Sequence, residues 1–246
     1  MEVPKGVRVA CVTGVSRGLG AALAAELLAR DFDVVGLGRG AAAVLGGARF
    51  RLVRVDLADP DAVATAARAT FGGIAAGAAA YAVLVNNAAV AGPVGPLGTL
   101  DARDIAASLA TNVVAPLILA DEFVRALAGR TRLRIVNVSS GAAARALPGC
   151  AAYCAAKAGL EMIAPVAAAE RAPGVEVVSV RPGVVDTPMQ DFMRSQPARA
   201  LPVVDVFRAF HAQGALQAPG AAARRIVDRA VLADVESGTT VSIDAP

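Results

Sequence analysis

Val7-Arg8-Val9-Ala10-Cys11-Val12-Thr13-Gly14-Val15-Ser16-Arg17-Gly18-Leu19-Gly20 runs a string of β-branched and small apolar residues directly into three glycines spaced Gly-x-x-x-Gly-x-Gly. The first half predicts a strand over Val7–Thr13. The alanine- and leucine-rich residues that follow predict a helix over about 18–30. A glycine turn between a buried strand and a helix lets backbone approach an anion closely and leaves the first helical N–H groups unpaired. Those groups, with the positive end of the helix dipole, suit a pyrophosphate. With 24 glycines in the chain the spacing alone is weakly specific, and its place between first strand and first helix gives it weight.

The same strand-then-helix alternation continues outward from this segment. Apolar runs predict strands near 33–38, 50–55, 81–86, 133–139, 175–180 and 239–243, with helical patterns near 60–71, 102–128, 151–172 and 218–234. Strands apolar on both faces, alternating with helices, are the mark of parallel β-α-β units. No repeat or second boundary interrupts them, so residues 1–246 are expected to form a single dinucleotide-binding α/β domain. The Gly/Ala segment 72–80 is expected as a connector. The Pro- and Met-rich stretch near 186–217 is expected as an insertion above the carboxyl ends of the strands, where a substrate lid would sit.

Composition narrows the function classes. A net charge of +3 with scattered arginines, 4% aromatics and no basic block gives no support for nucleic-acid binding. Residues 69–100 carry no charge, but Gly72-Gly73, Asn86-Asn87, Pro93 and Pro96 break the run, so no membrane span is expected. Cys11, Cys150 and Cys154 lack metal spacing and a disulfide framework, and His211 is the sole histidine. A metal-free protein of the reducing cytoplasm is the expectation. The first residues show no apolar signal region.

The end of the predicted second strand bears on cofactor choice. Val34-Val35-Gly36-Leu37-Gly38-Arg39 puts an arginine where an acidic residue would accept hydrogen bonds from an adenosine ribose. Arg39 cannot accept them, but it can bind a 2′-phosphate, with Arg17 of the glycine turn able to approach the same group. This favours NADP(H), and it argues against an S-adenosylmethionine-dependent methyltransferase on a similar fold. Asp31 and Asp33 precede the strand, at the wrong end of the sheet.

Lysine is rare here: of the 24 Lys+Arg residues only Lys5 and Lys157 are lysine, and only Tyr81 and Tyr153 are tyrosine. One of each falls in Tyr153-Cys154-Ala155-Ala156-Lys157. On a helix, positions i and i+4 share a face, so an ammonium lies near a phenol. A nearby cation favours the ionised phenol, which makes a tunable proton donor.

Together with Asn86-Asn87-Ala88, Asn112, Ser140 and Pro182-Gly183, the glycine turn and the Tyr-x-x-x-Lys pair resemble the short-chain dehydrogenase/reductase family along nearly the whole chain. The resemblance implies a doubly wound Rossmann domain with a seven-stranded parallel sheet of order 3-2-1-4-5-6-7. It implies Ser140, Tyr153, Lys157 and Asn112 as the catalytic set. Ser140 would hydrogen-bond the carbonyl oxygen, Tyr153 would donate the proton, Lys157 would bind the nicotinamide ribose and lower the phenol pKa, and Asn112 would hold a relay water. Cofactor contacts are implied at Gly14, Ser16, Arg17, Gly18, Leu19 and Gly20 of the turn, and at Arg39, Asp56 and Leu57 around the adenosine. Asn86 and Ala88, then Pro182, Gly183, Val185 and Thr187, are implied along the nicotinamide half. A homodimer or homotetramer is also implied.

The C-terminal half, Pro182-Gly183-Val184-Val185-Asp186-Thr187-Pro188-Met189-Gln190 with Ser237-Gly238-Thr239-Thr240-Val241, is most similar to the sepiapterin and benzil reductase group. Sepiapterin reductases anchor the pterin with an aspartate on the last strand. Ser242 stands at that position here, with Asp244 two residues on. An apolar dicarbonyl or aromatic ketone is therefore the expected substrate, and a pterin side chain the alternative. Leu147, Cys150, Met189 and Met193, with Pro148 and Phe192, are expected to wall its pocket. A non-catalytic NADP-binding regulator is the rival from another class.

Overall fold

A computed structural model describes residues 6–243. Asp244, the candidate pterin anchor, lies outside the described residues. Seven parallel strands form one sheet in the order β3-β2-β1-β4-β5-β6-β7. They are β1 (Val7–Thr13), β2 (Asp33–Gly38), β3 (Phe50–Arg54), β4 (Ala79–Asn86), β5 (Arg132–Val138), β6 (Val175–Arg181) and β7 (Thr240–Ser242). All six pairings are parallel, with Cys11 opposite Val35 on one side and Leu84 on the other.

Period-two alternation sends successive side chains to opposite faces, and both faces are apolar. Ala10, Val12, Val83, Val85, Val136 and Val178 point into one core. There they meet Leu23 and Leu27 of α1 (Gly18–Ala29) and Ile226 of α8 (Pro219–Ile226). Cys11, Leu84, Ile135 and Val177 point into the other. That core is roofed by α2 (Pro60–Ala76), α4 (Ala115–Leu127) and α5 (Ala151–Glu170), where Phe71 and Phe123 meet edge to face at 5.1 Å. Such an aromatic pair adds about 0.5–1.5 kcal/mol beyond its buried area.

One sequence expectation changes. The stretch 72–80 is not a connector: α2 continues through Gly72-Gly73 to Ala76, and β4 starts at Ala79. Both glycines are exposed while Phe71 and Ile74 are buried, so core packing outweighs a cost of about 1 kcal/mol per glycine. The helical pattern over 102–128 is borne out as continuous helical backbone over Ala102–Leu127, in which α3 (Ala102–Leu109) and α4 are joined by a wider π-helical turn at Ala110–Val114 that contains Asn112. Taken as one 26-residue rod, Ala102–Leu127 is long and apolar enough to cross a membrane by length and composition, yet Leu119, Phe123 and Leu127 are buried in the second core.

The amino end of β5 holds Arg134, which is 0% exposed. Its Nε and Nη2 donate to Glu176 Oε2 at 2.9 and 2.6 Å, and Nη1 donates to the Ala230 carbonyl at 3.0 Å. The segment 186–217 carries two more helices, α6 (Pro188–Arg194) and α7 (Val204–Ala212). Its two ends are tied together: Asp186 N donates to Gln217 O, and Gln217 N donates to Val184 O, both at 2.9 Å.

Candidate active site

A cleft of about 800 Å³ opens along the carboxyl ends of the strands. Its floor is the Gly14–Gly20 turn. Gly14 and Gly18 have positive φ, at 75° and 57°, and a Cβ on Gly20 would run into the Gly14 carbonyl and the Asn87 amide. Glycine is therefore the residue these three positions accommodate. Gly14 N donates to Leu37 O at 2.9 Å, which ties the turn to β2. α1 begins at Gly18 with Arg17 as its N-cap, and no side chain caps its first N–H groups. Open glycine backbone, unpaired N–H donors and a long cleft fit a dinucleotide pyrophosphate.

Thr13 and Asn87 cross-brace the ends of β1 and β4. Thr13 Oγ1 accepts from the backbone N–H of Asn87 and of Ala88, each at 2.9 Å, and Asn87 Nδ2 donates to Thr13 O at 3.0 Å. Asn87 lines the cleft and Asn86 does not. Asn86 is buried, donating to Asn137 Oδ1 at 2.9 Å, so it braces β4 against β5. The Asn86 side chain, implied at the cofactor by the resemblance, is thus turned away from the cleft, and that of its neighbour lines it.

Beyond the ends of β1 and β2, Arg17 and Arg39 are both exposed and line the cleft, and among the described residues no carboxylate pairs with either. Arg54 Nη1 donates to the Arg39 carbonyl at 2.8 Å, adding a third cation nearby. Ser16, Leu19, Asp56, Leu57 and Ala88 line the same cleft. Pro182, Gly183, Val185 and Thr187 line its other half. Gln217, which the sequence did not single out, braces that half: its Nε2 donates to the Pro182 carbonyl and its Oε1 accepts from Arg225.

Ser140, Tyr153 and Lys157 come together on the wall. Ser140 follows β5 in extended backbone, and its Oγ accepts from Ala142 N at 3.2 Å. Tyr153 is 9% exposed, with its hydroxyl 3.8 Å from Met189 Sδ. Burial pushes the phenol up to about 12, outweighing the pull of the Ser140 hydroxyl. The expected lowering by Lys157 is not what dominates. Lys157, 2% exposed, donates from Nζ to the Val138 carbonyl at 2.7 Å and sits 5.8 Å from the Tyr153 ring centroid. Burial brings its ammonium down to about 8, against the opposing pull of Glu161. Glu161, one helical turn further on, accepts two hydrogen bonds from Arg181.

Asn112 is 0% exposed and does not line the cleft. Its Oδ1 accepts from Val90 N at 2.9 Å and its Nδ2 donates to Val90 O at 2.8 Å, so the side chain is committed to holding the Ala88–Ala91 loop. The substrate wall also differs from expectation. Met189 and Phe192 line the cleft, but Leu147, Pro148, Cys150 and Met193 do not. Leu147, Cys150 and Met193 instead pack with Leu201, Val204 and Tyr153 in a third apolar cluster. The α6 helix turns Met193 inward, and Cys150, the N-cap of α5, is packed into the same cluster with its thiol pushed up to about 11 by burial. Among the described residues no group of three His, Cys, Asp or Glu is placed to hold a metal.

Residues 8–198 match the family described as short chain dehydrogenase. A benzil reductase ((S)-benzoin forming) of Bacillus cereus is 28% identical over 248 residues, spanning 97% of this chain and 100% of the relative. A sepiapterin reductase of Xenopus tropicalis is 33% identical over 208 residues, spanning 77% of this chain and 79% of the relative. Among solved structures, the KRED1-Pglu enzyme superimposes with a TM-score of 0.85 at 27% identity, covering 96% of this chain and 100% of its own. A short chain dehydrogenase from Burkholderia cenocepacia J2315 in complex with NADP gives 0.77 at 32% identity, covering 96% and 95%.

Proposed function

This chain belongs to the short-chain dehydrogenase family, and on that premise we propose that it is an NADPH-dependent reductase of apolar ketones or dicarbonyl compounds. The observation that carries this reading is that Ser140, Tyr153 and Lys157 share one cleft wall above the Gly14–Gly20 turn. Bound NADPH supplies the hydride. Tyr153 gives a proton to the carbonyl oxygen as charge develops there, and Ser140 donates a hydrogen bond to the same oxygen. A phenol with its pKa raised to about 12 is held protonated at neutral pH, which is the form a reductase needs at the start of turnover. Alcohol oxidation would need the phenolate, so reduction is the favoured direction.

Arg17, Arg39 and Arg54 around the adenosine end support a 2′-phosphate and hence NADPH over NADH. The NADP-bound relative from Burkholderia cenocepacia supports the same choice. Met189, Phe192 and Pro93 on the open part of the wall support an apolar substrate. The benzil reductase of Bacillus cereus supports a dicarbonyl or aryl ketone over a pterin. The α6–α7 segment over the cleft would act as the lid.

NADPH oxidation over diketones, aryl ketones, quinones and pterins, with NADH in parallel, tests the assignment. Tyr153→Phe should lower kcat by at least a thousandfold while NADPH affinity stays within a few-fold. Unchanged turnover in that variant refutes the chemistry. Failure of every carbonyl with the parent protein would favour a non-catalytic nucleotide-binding role.

A further inference from the structure

Lys157 has three N–H donors and spends one on the Val138 carbonyl at 2.7 Å, in a site where it is 2% exposed. A buried ammonium needs a counter-charge to stay protonated. Among the described residues, the charge that acts on it is Glu161, four residues along the same helix face and not in contact with it. The reason for that separation is Arg181, the last residue of β6. Its Nε donates to Glu161 Oε1 at 2.8 Å and its Nη2 donates to Oε2 at 2.7 Å, so both carboxylate oxygens are held toward the sheet. Ser139, the first residue after β5, faces the same carboxylate, and its buried Oγ makes no other hydrogen bond. Although burial works against its ionised form, the hydrogen bonds and charge of Arg181, the facing Ser139 hydroxyl and the charge of Lys157 hold Glu161 below the usual carboxylate range.

We propose that Glu161, clamped by Arg181, is a positioning residue of the reaction: it supplies a fixed negative charge one helical turn from Lys157 while leaving the remaining ammonium donors free for the cofactor ribose. A carboxylate free to swing would close onto Nζ as a direct ion pair and occupy those donors. Held by the guanidinium, it acts through space only. Arg181 also precedes Pro182-Gly183 directly, so the same clamp couples the catalytic helix to the turn that lines the nicotinamide half of the cleft.

The inference rests on the reductase reading, and its test separates the two. The chain holds only two lysines, so [ε-13C]lysine labelling yields two resonances, and Lys157→Met assigns them. In the cofactor-free protein, Glu161→Gln should lower the titration midpoint of Lys157 from about 8 by about one pH unit, the size expected for a unit charge at this spacing under solvent screening. The alkaline limb of kcat/KM should move by the same amount, about a tenfold loss above both midpoints, with little change near pH 6. Glu161→Asp, which keeps the charge, should restore most of the shift. A purely structural role would lower thermal stability and leave both profiles in place. A Lys157 midpoint that is the same in Glu161→Gln as in the parent overturns the inference. If the midpoint moves but no carbonyl is reduced by the parent protein, the reductase reading fails and the Glu161–Lys157 coupling stands.

Discussion

Lys157 should cost this protein stability, and removing it should show that. Its pKa falls from 10.5 to about 8 on folding, which corresponds to a penalty of about 3 kcal/mol at pH 7. Lys157→Met keeps the apolar stem and deletes the charge. It also leaves the Val138 carbonyl without the 2.7 Å donor, a loss of about 1–2 kcal/mol. The balance is a gain of about 1–2 kcal/mol, or a Tm higher by roughly 2–8 °C for a chain of this size. Between about pH 8 and 10.5 the folded protein binds fewer protons at this site than the unfolded chain, so the parent gains stability as pH rises through that window. The variant has no such gain. Calorimetry of the cofactor-free proteins should therefore show Lys157→Met ahead at pH 7, and level or behind at pH 10.5, with NADPH oxidation abolished at both. A variant that melts below the parent at pH 7, or whose margin is the same at both pH values, would show that Lys157 carries no burial penalty.

Arg39→Asp replaces the cation proposed to bind a 2′-phosphate with a ribose acceptor. One ion pair at contact is worth roughly 1–4 kcal/mol depending on screening, so the NADPH/NADH ratio of kcat/KM should fall at least tenfold; an unchanged ratio removes the cofactor assignment. Gly20→Ala drives a methyl into the Gly14 carbonyl and the Asn87 amide, and NADPH affinity measured by fluorescence titration should drop by tenfold or more. Thr13→Val strands the backbone N–H groups of Asn87 and Ala88, and denaturant unfolding should show a loss of about 2–4 kcal/mol, with Thr13→Ser close to the parent.

Parts of the site that depend on local geometry were legible from residue order. The Gly14–Gly20 turn asks for positive φ and bare backbone at fixed spacing, and Tyr153 and Lys157 meet because a helix returns to the same face every four residues. Other parts turned on which way a side chain faces in the packed molecule. Asn86 and Asn87 are adjacent and chemically identical, and strand alternation sends one to brace β5 and the other to the cleft. Asn112 carries the right amide, but the π-helical turn aims it at Val90. Cys150 and Met193 have the right apolarity for a pocket wall, and they pack behind Tyr153. Glu161 had a readable signal, four residues beyond Lys157, but its partner Arg181 lies twenty positions away on a strand.

By itself the sequence determined the alternating strands and helices, the glycine turn and the helix that sets Lys157 one turn from Tyr153, because each follows from the backbone geometry of a few consecutive residues. Only the tertiary structure decided that α2 runs through two glycines, that Thr13 joins β1 to β4, and that Arg181 holds the carboxylate near Lys157. Those outcomes depend on contacts between segments far apart in the chain, where burial of Phe71 and Ile74 outweighs local propensity and a guanidinium finds its carboxylate only once β6 lies against α5.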